Sequence, residues 1–219
     1  MRIPRLIVLG SCLLFLTGCL LIPLEPDPQP VITYEEEFDN PASHSGTHAW
    51  YTKDEDVSVV WIADGAIQIL VHEDEYFQSS YPAGVETGDV FRLDIGACKV
   101  GGPESGEYGV IFRRQDGDNF LRFTITGDGR MRFRKRQNGS WSDIVPLTSS
   151  GAINQGTDCN QITVIADGPN FEFYVNEVLV LESSDASLQG GGIGVIAANP
   201  AGNEGIHAAF PIVVLTELE

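Results

Sequence analysis

The chain has 219 residues, and its 31 acidic residues outnumber its 13 basic residues, which gives a formal net charge of −18 at pH 7. A balance this acidic argues against nucleic acid or an anionic lipid surface as the main binding partner. The length suits one sizeable domain, and the four cysteines lack the spacing of a metal site.

The N-terminus has the three parts of an export signal: basic residues, an apolar run and a short cleavage region. Arg2 and Arg5 come first, Leu6–Phe15 is the apolar run, and Leu16-Thr17-Gly18-Cys19 follows. The apolar run is shorter than the ~20 residues that span a bilayer. The Leu-Thr-Gly-Cys motif resembles the lipobox of bacterial lipoproteins, which implies cleavage before Cys19 and acylation of that cysteine. An ordinary signal peptide, in which Cys19 is incidental, is the alternative.

The mature protein is therefore expected to begin at Cys19, after removal of residues 1–18 as the signal peptide. This removal takes away two arginines and no acidic residue, so the net charge becomes −20. Residues 19–30 are rich in proline and predict an extended tether. Several acyl chains would hold the protein on the outer face of a bacterial membrane. One domain would then occupy residues 31–219.

Beyond residue 30 the sequence alternates short runs rich in Val, Ile, Phe and Thr with turns rich in Gly, Asn and Asp. The runs that predict strands are Val57–Ile62, Ala66–Val71, Val90–Cys98, Tyr108–Arg114, Phe120–Thr126, Arg130–Gln137, Gln161–Ala166, Phe171–Val175, Val178–Glu182, Ile193–Ala198 and Ala208–Thr216. Asp116–Asn119, Gly127–Gly129 and Asn138-Gly139 join neighbouring runs with residues that tolerate positive φ angles. The pattern predicts an all-β fold, a two-sheet antiparallel jelly-roll sandwich.

Cys98 and Cys159 are the two cysteines that remain beside the lipid-bearing one. Each lies at the edge of a predicted strand, and an exported domain folds in an oxidising compartment. We therefore expect a disulfide between them. It would close a loop of about 60 residues and stabilise the fold by ~4 kcal/mol.

A basic stripe is the one feature that stands out on this acidic chain. Eight of the 11 basic residues of the mature chain fall between Arg113 and Arg136. Alternation places Arg130, Arg132, Arg134 and Arg136 on one face of a strand, opposite Met131 and Phe133. The predicted ligand-binding residues, which carry guanidinium, aromatic or carboxylate groups, are Phe120, Arg122, Arg130, Arg132, Arg134, Trp141, Glu172 and Tyr174.

Two interpretations of the stripe remain open. In the first, arginines bind sugar hydroxyls or carboxylates while aromatic rings stack on sugar faces, so the surface holds a glycan or an anionic polysaccharide. In the second, the stripe is a solvated sheet whose arginines pair with Glu172 and other acidic residues across strands.

The middle of the chain resembles a known family. The segments that carry the resemblance are Tyr108–Arg113, Asp118–Phe123, Gly127–Gly129, Thr163–Ala166, Phe171–Asn176, Gly192–Val195 and the opening Glu37–Asn40 with Trp50. They resemble concanavalin A-like lectin/glucanase jelly rolls, and in particular the laminin-G-like and 3-keto-disaccharide-hydrolase-like modules. The resemblance covers roughly residues 34–216. Its motifs are structural, so it implies the fold and leaves the activity open.

Many domains that resemble this one hold a structural calcium ion with an acidic residue placed after a phenylalanine of the last strand. Here Pro211 follows Phe210, and Glu37 and Asp39 alone make a weak calcium site. We expect no calcium and no other cofactor. His44 and His48 share a loop, but surface histidines are a simpler interpretation than a zinc site.

Glycoside hydrolysis needs two carboxyl groups across the scissile bond. Family-16 glucanases place them in a Glu-x-Asp-x-Glu pattern, and the nearest run here is Glu73-Asp74-Glu75. This run and Asp54-Glu55-Asp56 are interpreted as acidic loops, and we assign no catalytic residue. The sequence favours a membrane-tethered, non-catalytic module that binds glycans or mediates adhesion. A sugar-processing hydrolase of the 3-keto-disaccharide type and a purely structural envelope lipoprotein are the alternatives.

Overall fold

The computed structural model describes residues 31–40, 45–202 and 205–218, so the predicted signal peptide, Cys19 and the tether lie outside the described residues. In the described part of the chain every regular element is a β-strand. The strands are β1 Val31–Glu36, β2 Lys53–Glu55, β3 Ser58–Ala63, β4 Ala66–Val71, β5 Tyr76–Ser80, β6 Glu86–Thr87, β7 Val90–Gly101, β8 Glu107–Arg114, β9 Phe120–Thr126, β10 Arg130–Gln137, β11 Ser140–Ser149, β12 Asn160–Asp167, β13 Asn170–Val175, β14 Val178–Ser184, β15 Gly191–Asn199, β16 Ile206–Phe210 and β17 Val213–Glu217.

The first sheet has the order β14-β13-β12-β7-β16-β4-β3-β2, and β17 pairs with both β7 and β1. Strand β7 is its axis, because β12 runs along one side while β16 and β17 share the other. The two short strands are separated at Pro211, which lacks the N–H that a continuous ladder would require. The sequence had predicted a single strand over Ala208–Thr216, and this proline is why it is divided.

The second sheet has the order β11-β10-β9-β8-β15-β5, with β6 paired to β15. All of its pairings are antiparallel. Each hairpin from β8 to β11 uses a turn rich in Gly, Asn or Asp, as the sequence predicts. Strands β8 to β11, which are consecutive in sequence and include the basic stripe, are therefore neighbours in the second sheet.

The core lies between the two sheets and is built on aromatic rings. Phe112, Phe123 and Phe133 of the second sheet meet Phe171 and Phe173 of the first, with the rings of Phe123 and Phe173 stacked at a centroid distance of 4.5 Å. All five side chains are buried. Burial of such a ring stabilises a fold by roughly 1.5–3 kcal/mol. The predicted two-sheet sandwich is confirmed.

A disulfide joins Cys98 of β7 to Cys159 beside the start of β12. The two cysteines are 61 positions apart in sequence but lie on neighbouring strands of the first sheet. The predicted bridge is thus present, and the chain that it encloses contains β8, β9, β10 and β11.

One end of the sandwich is held by a buried arginine. Arg113 is 1% exposed and donates hydrogen bonds to the backbone carbonyls of Leu188, Asp89 and Gly168. Its guanidinium also lies 4.6 Å from the ring centroid of Phe171. Arg113 therefore ties three loops together and takes no part in the solvent-facing stripe.

Within the described residues no helix has the length and apolar character needed to cross a membrane.

Candidate functional site

The second sheet carries a polar face on the side turned away from the core. Glu107 of β8, Arg122 of β9, and Arg132 with Arg134 of β10 share this side, because their neighbours Tyr108, Leu121 and Phe133 point into the core. Trp141 and Asp143 of the next strand, β11, contact Arg122 and Arg132 on the same side. We call these six residues the arginine face. The predicted alternation of β10 is confirmed. The stripe is not a solvated sheet throughout, since Phe120 and Arg122 of β9 are only 2% and 3% exposed.

Glu107 is the acidic centre of this face. Its carboxylate accepts hydrogen bonds from Arg122 Nη2, Arg132 Nη1 and Thr124 Oγ1, each at 2.9 Å. Burial alone would raise the pKa of Glu107, but the charges of Arg122 and Arg132 outweigh it and hold that pKa below its usual range. Glu107 is therefore ionised near neutral pH.

Asp143 extends the network towards the edge strand β11. It accepts hydrogen bonds from Arg132 Nε and Nη2 at 3.1 and 2.9 Å, and its Oδ1 lies 2.7 Å from Arg134 Nε. Asp118 and Asp128 pair in the same way with Arg136 and Arg130. The arginines of β10 thus each have a carboxylate partner.

This pairing bears on the second interpretation of the stripe, in which its arginines pair with acidic residues across strands. Pairing with acidic residues across strands is confirmed for Glu107 and Asp143, so the stripe is largely neutralised. The proposed pairing with Glu172 is wrong, because β13 belongs to the first sheet. Glu172 and Tyr174 alternate there with the buried Phe171 and Phe173, and the Tyr174 hydroxyl donates to Glu172 at 2.6 Å. These two predicted ligand-binding residues therefore lie on the opposite side of the sandwich.

Arg122 is buried against an aromatic cluster. Its guanidinium lies 4.5 Å from the ring centroid of Trp141, and those of Arg134 and Arg136 lie at 4.9 and 5.3 Å. Burial is the main cause that lowers the pKa of Arg122 to about 10, which still leaves it cationic at pH 7. Cation–π contacts of this kind are strongest where water is excluded. They hold Trp141 in place over β9.

A small apolar cluster supports Trp141 from beneath. Phe120, Ile111 and Ile196 are buried on this side of the sheet, outside the main core. The rings of Phe77 and Phe120 meet Trp141 edge to face at 5.3 and 5.5 Å. The predicted residues Phe120, Arg122, Arg132, Arg134 and Trp141 are therefore brought together. Arg130 lies at the end of β10 in its pair with Asp128.

The first of two clefts opens on the arginine face and has a volume of about 240 Å³. Glu107, Arg122, Arg132, Arg134 and Trp141 form one wall, and the opposite walls are Glu75–Phe77 and Ala198–Ala201. The loop at the end of β15 is fixed by Asp74, whose carboxylate accepts a hydrogen bond from the Gly202 N–H at 3.0 Å. Charged donors and acceptors thus line a cleft beside aromatic rings.

The second cleft adjoins the first, because Tyr76 and Phe77 line both. Its volume is about 360 Å³, and its other aromatic residues are Tyr51 and Tyr81, whose rings stack 5.5 Å apart. The guanidinium of Arg114 lies 3.7 Å from the centroid of Tyr81. None of these residues was predicted as a site residue. Nothing in the local sequence signals the cleft, since it brings together the segment before β2 and strands β5 and β8.

The acidic runs of the sequence form no metal cluster among the described residues. Glu73 is exposed at the end of β4, and Glu75 lies at the rim of the first cleft. Glu37 and Asp39 line a separate open pocket beside β1 together with His48. Within the described ranges no three His, Cys, Asp or Glu side chains converge as metal ligands, and His44 lies outside those ranges.

Comparison with known proteins shows similarity in structure alone. No protein-family model matches the chain, and no curated protein matches its sequence. Carbohydrate-binding module CBM66 from Bacillus subtilis is 17% identical, with a TM-score of 0.59 over 75% of this chain and 92% of that one. A β-glucanase from Bacillus licheniformis is 12% identical, with a TM-score of 0.60 over 88% and 100%. A Bacillus subtilis protein of unknown function with a galectin-like fold is also 12% identical, with a TM-score of 0.62 over 86% and 98%. At these identities the likeness establishes a concanavalin A-like sandwich fold.

Proposed function

We propose that this protein is a membrane-tethered, non-catalytic module that binds glycans through the first cleft. The observation that carries the proposal is the composition of that cleft. Ionised carboxylates and guanidiniums with fixed geometry lie beside the rings of Phe77 and Trp141. Each sugar hydroxyl can both donate and accept a hydrogen bond, and the C–H faces of a sugar ring pack on aromatic side chains.

The paired charges favour an uncharged sugar unit in this cleft. Glu107 and Asp143 already neutralise most of the positive charge of Arg122, Arg132 and Arg134. A ligand here gains hydrogen bonds to both signs of charge, whereas a polyanion would meet carboxylates as well as guanidiniums. Carbohydrate-binding and carbohydrate-cleaving proteins among the structural neighbours support a glycan as the ligand class.

The carboxyl groups of the cleft argue against hydrolysis. A glycosidase needs one carboxylic acid that is protonated before the reaction, and so has a raised pKa. Glu107 has a lowered pKa and is bound by two arginines. The Glu75 side chain lies at the exposed rim. The environment of Glu107 supports the non-catalytic proposal.

Glycan-array binding tests the proposal, with the protein solubilised in mild detergent after expression in a bacterial host. Phe77→Ala removes a cleft wall, and Tyr174→Ala removes an aromatic side chain on the opposite sheet. We expect binding that Phe77→Ala weakens at least about tenfold, a loss of about 1.4 kcal/mol, and that Tyr174→Ala leaves unchanged. Circular dichroism confirms that both variants fold. Equal binding by all three proteins would contradict the site, and sugar release that Glu75→Gln abolishes would contradict the non-catalytic assignment.

Tethering is tested separately at Cys19. The lipobox-like sequence supports transfer of lipid to this thiol, and two or more acyl chains anchor a protein stably. We expect the wild-type protein to incorporate an alkyne-labelled palmitate and to sediment with membranes. Cys19→Ser is expected to lose both properties. A Cys19→Ser protein that still carries the label would overturn the lipoprotein proposal.

A further inference from the structure

We infer that the second cleft binds a negatively charged sugar residue, next to the uncharged residue held in the first cleft. This inference rests on the proposed glycan-binding function and adds the substrate class: a polysaccharide that contains acidic units. The acidic group is a carboxylate or a sulfate, both of which accept hydrogen bonds from a guanidinium.

Arg114 supplies the positive charge. Arg122, Arg132, Arg134 and Arg136 on the same sheet each lie within 4 Å of a carboxylate. By contrast, Arg114 forms no ion pair with any acidic residue of the described ranges, although it is half-buried. A guanidinium with no carboxylate of the described residues within 4 Å, on so acidic a protein, is a site where an anionic ligand can supply hydrogen-bond acceptors.

The nearest acidic turn forms no ion pair with Arg114. Asp116 follows it by two residues, and its carboxylate accepts hydrogen bonds from the backbone N–H of Asp118 and from the Asn119 side chain, at 2.7 and 2.9 Å. These bonds lower the pKa of Asp116, with a smaller contribution from the charge of Arg114. Asp118 in turn pairs with Arg136. The turn therefore uses its own carboxylates, and no acidic side chain of the described residues lines the second cleft.

Aromatic contacts hold Arg114 ready for a ligand. Its guanidinium lies on the Tyr81 ring at 3.7 Å, and the nearly parallel Tyr51 ring packs on Tyr81 at an interplanar angle of 3°. Tyr51 is 39% exposed, so part of its ring is open to solvent. Because the Arg114 guanidinium is already positioned by stacking, it loses little conformational entropy when a ligand binds. The exposed ring of Tyr51 offers a surface for the apolar face of a sugar.

The two clefts are placed to bind neighbouring units of one chain. They share the wall formed by Tyr76 and Phe77, with Arg132 and Arg134 on one side and Arg114 on the other. An oligosaccharide that crosses this wall would put one unit among paired charges and the next beside the unpaired guanidinium. The protein's preference for an acidic over a neutral oligosaccharide would then come from the second cleft alone, because the charges of the first cleft are already paired.

Matched glycan pairs test this division. The probes are uronate-containing oligosaccharides with their carboxyl-reduced, neutral counterparts, and sulfated galactan oligosaccharides with their desulfated counterparts. Binding is measured at constant ionic strength for the detergent-solubilised wild-type protein and for Arg114→Gln. Arg92→Gln, which removes an arginine paired with Asp94 on the other sheet, is the charge-matched control.

We expect wild type and Arg92→Gln to bind the acidic member of at least one pair about tenfold more tightly than its neutral partner. Arg114→Gln should lose this preference, because its affinity for the acidic member should fall to that for the neutral member. The pair that shows the preference identifies the anion as carboxylate or sulfate. Binding of neutral members without any acidic preference, or an equal loss for both members in Arg114→Gln, would overturn this inference and leave the proposed function standing. Absence of binding to every member, neutral and acidic, would overturn both.

Discussion

Arg122 Nη2 donates a hydrogen bond to Glu107 Oε2 over 2.9 Å, and the two side chains are only 3% and 9% exposed. A buried ion pair adds little net stability compared with a well-packed apolar pair, but the loss of one partner leaves the other charge buried and uncompensated. The arginine face therefore contains two ionised side chains, Arg122 and Glu107, that hold each other in fixed positions.

Replacement of Glu107 by glutamine should strongly destabilise the protein. We expect Glu107→Gln to lower the free energy of unfolding by about 3–5 kcal/mol, because Arg122 then faces an amide instead of a carboxylate. Asp118→Asn is the control, since Asp118 is 63% exposed and its pair with Arg136 should contribute about 0–1 kcal/mol. Urea denaturation measures both. Similar losses of unfolding free energy in the two variants would contradict the prediction that burial makes the Glu107 ion pair more important than the exposed Asp118 pair.

The same carboxylate should give stability a defined dependence on pH. Because the pKa of Glu107 is lower in the folded protein, its ionised form stabilises the fold at pH values above the unfolded-state pKa of about 4.3. That contribution is lost as the pH falls through the folded-state pKa. The stability difference between wild type and Glu107→Gln should thus be full at pH 7 and shrink in acid. Denaturation curves between pH 7 and 3 measure this; a difference that stays constant would count against the prediction.

Loss of the disulfide should destabilise the fold without changing its topology. The bridge between Cys98 and Cys159 spans 61 positions, so its removal by the double change to serine should cost about 4 kcal/mol by the chain-entropy relation. Denaturation of the double variant and of the reduced wild type should give the same midpoint. A midpoint equal to that of the oxidised protein would show that the closed loop contributes nothing.

Gly109 allows the close approach of β8 and β9. A Cβ atom at this position would lie 2.3 Å from the carbonyl oxygen of Phe123, a contact that requires the backbone to move. We expect Gly109→Ala to destabilise the protein by about 1–3 kcal/mol. Gly117→Ala is the matched control, because a Cβ there meets no atom within 4 Å, and its effect should stay within about 0.5 kcal/mol. Thermal unfolding distinguishes the two; equal shifts would contradict the steric explanation.

Trp141 should contribute to both binding and local packing. Trp141→Ala removes contacts to Arg122 and Phe120, so glycan affinity should fall at least about tenfold and the protein should lose some stability. Trp141→Phe keeps an aromatic ring and should restore part of both. Full glycan affinity in the alanine variant would show that the arginine face is not the binding surface.

Local sequence patterns predicted most strands because their chemistry is local. The bounds of Ala66–Val71, Phe120–Thr126 and Arg130–Gln137 agree with the structure, since each run is bounded by a turn with Gly, Asn or Asp. Strand β11 was missed because Pro146 and several serines interrupt its apolar pattern. It lies at the edge of its sheet, where proline is tolerated. Strand β5 was missed because it buries Gln78 and Ser80 instead of apolar residues.

The candidate site was only partly predictable, because alternation describes one strand at a time. Alternation placed the arginines of β10 on the face opposite Met131 and Phe133, but it could not show that Trp141 of the next strand covers Arg122. Nor could it assign Tyr174 to a sheet, which depends on pairing with distant strands. Arg114 and Tyr81 are 33 positions apart in sequence, and only the antiparallel order β8-β15-β5 brings their strands close.

The disulfide also determines what a single cut in the backbone would do. Every residue of the arginine face lies between Cys98 and Cys159 in sequence. A protease that cleaves one exposed turn in this segment, such as Asn138-Gly139, would leave two fragments joined through sulfur. The two halves of the arginine face would then stay in one covalently joined molecule, whereas a cut chain without the disulfide would separate into two free fragments.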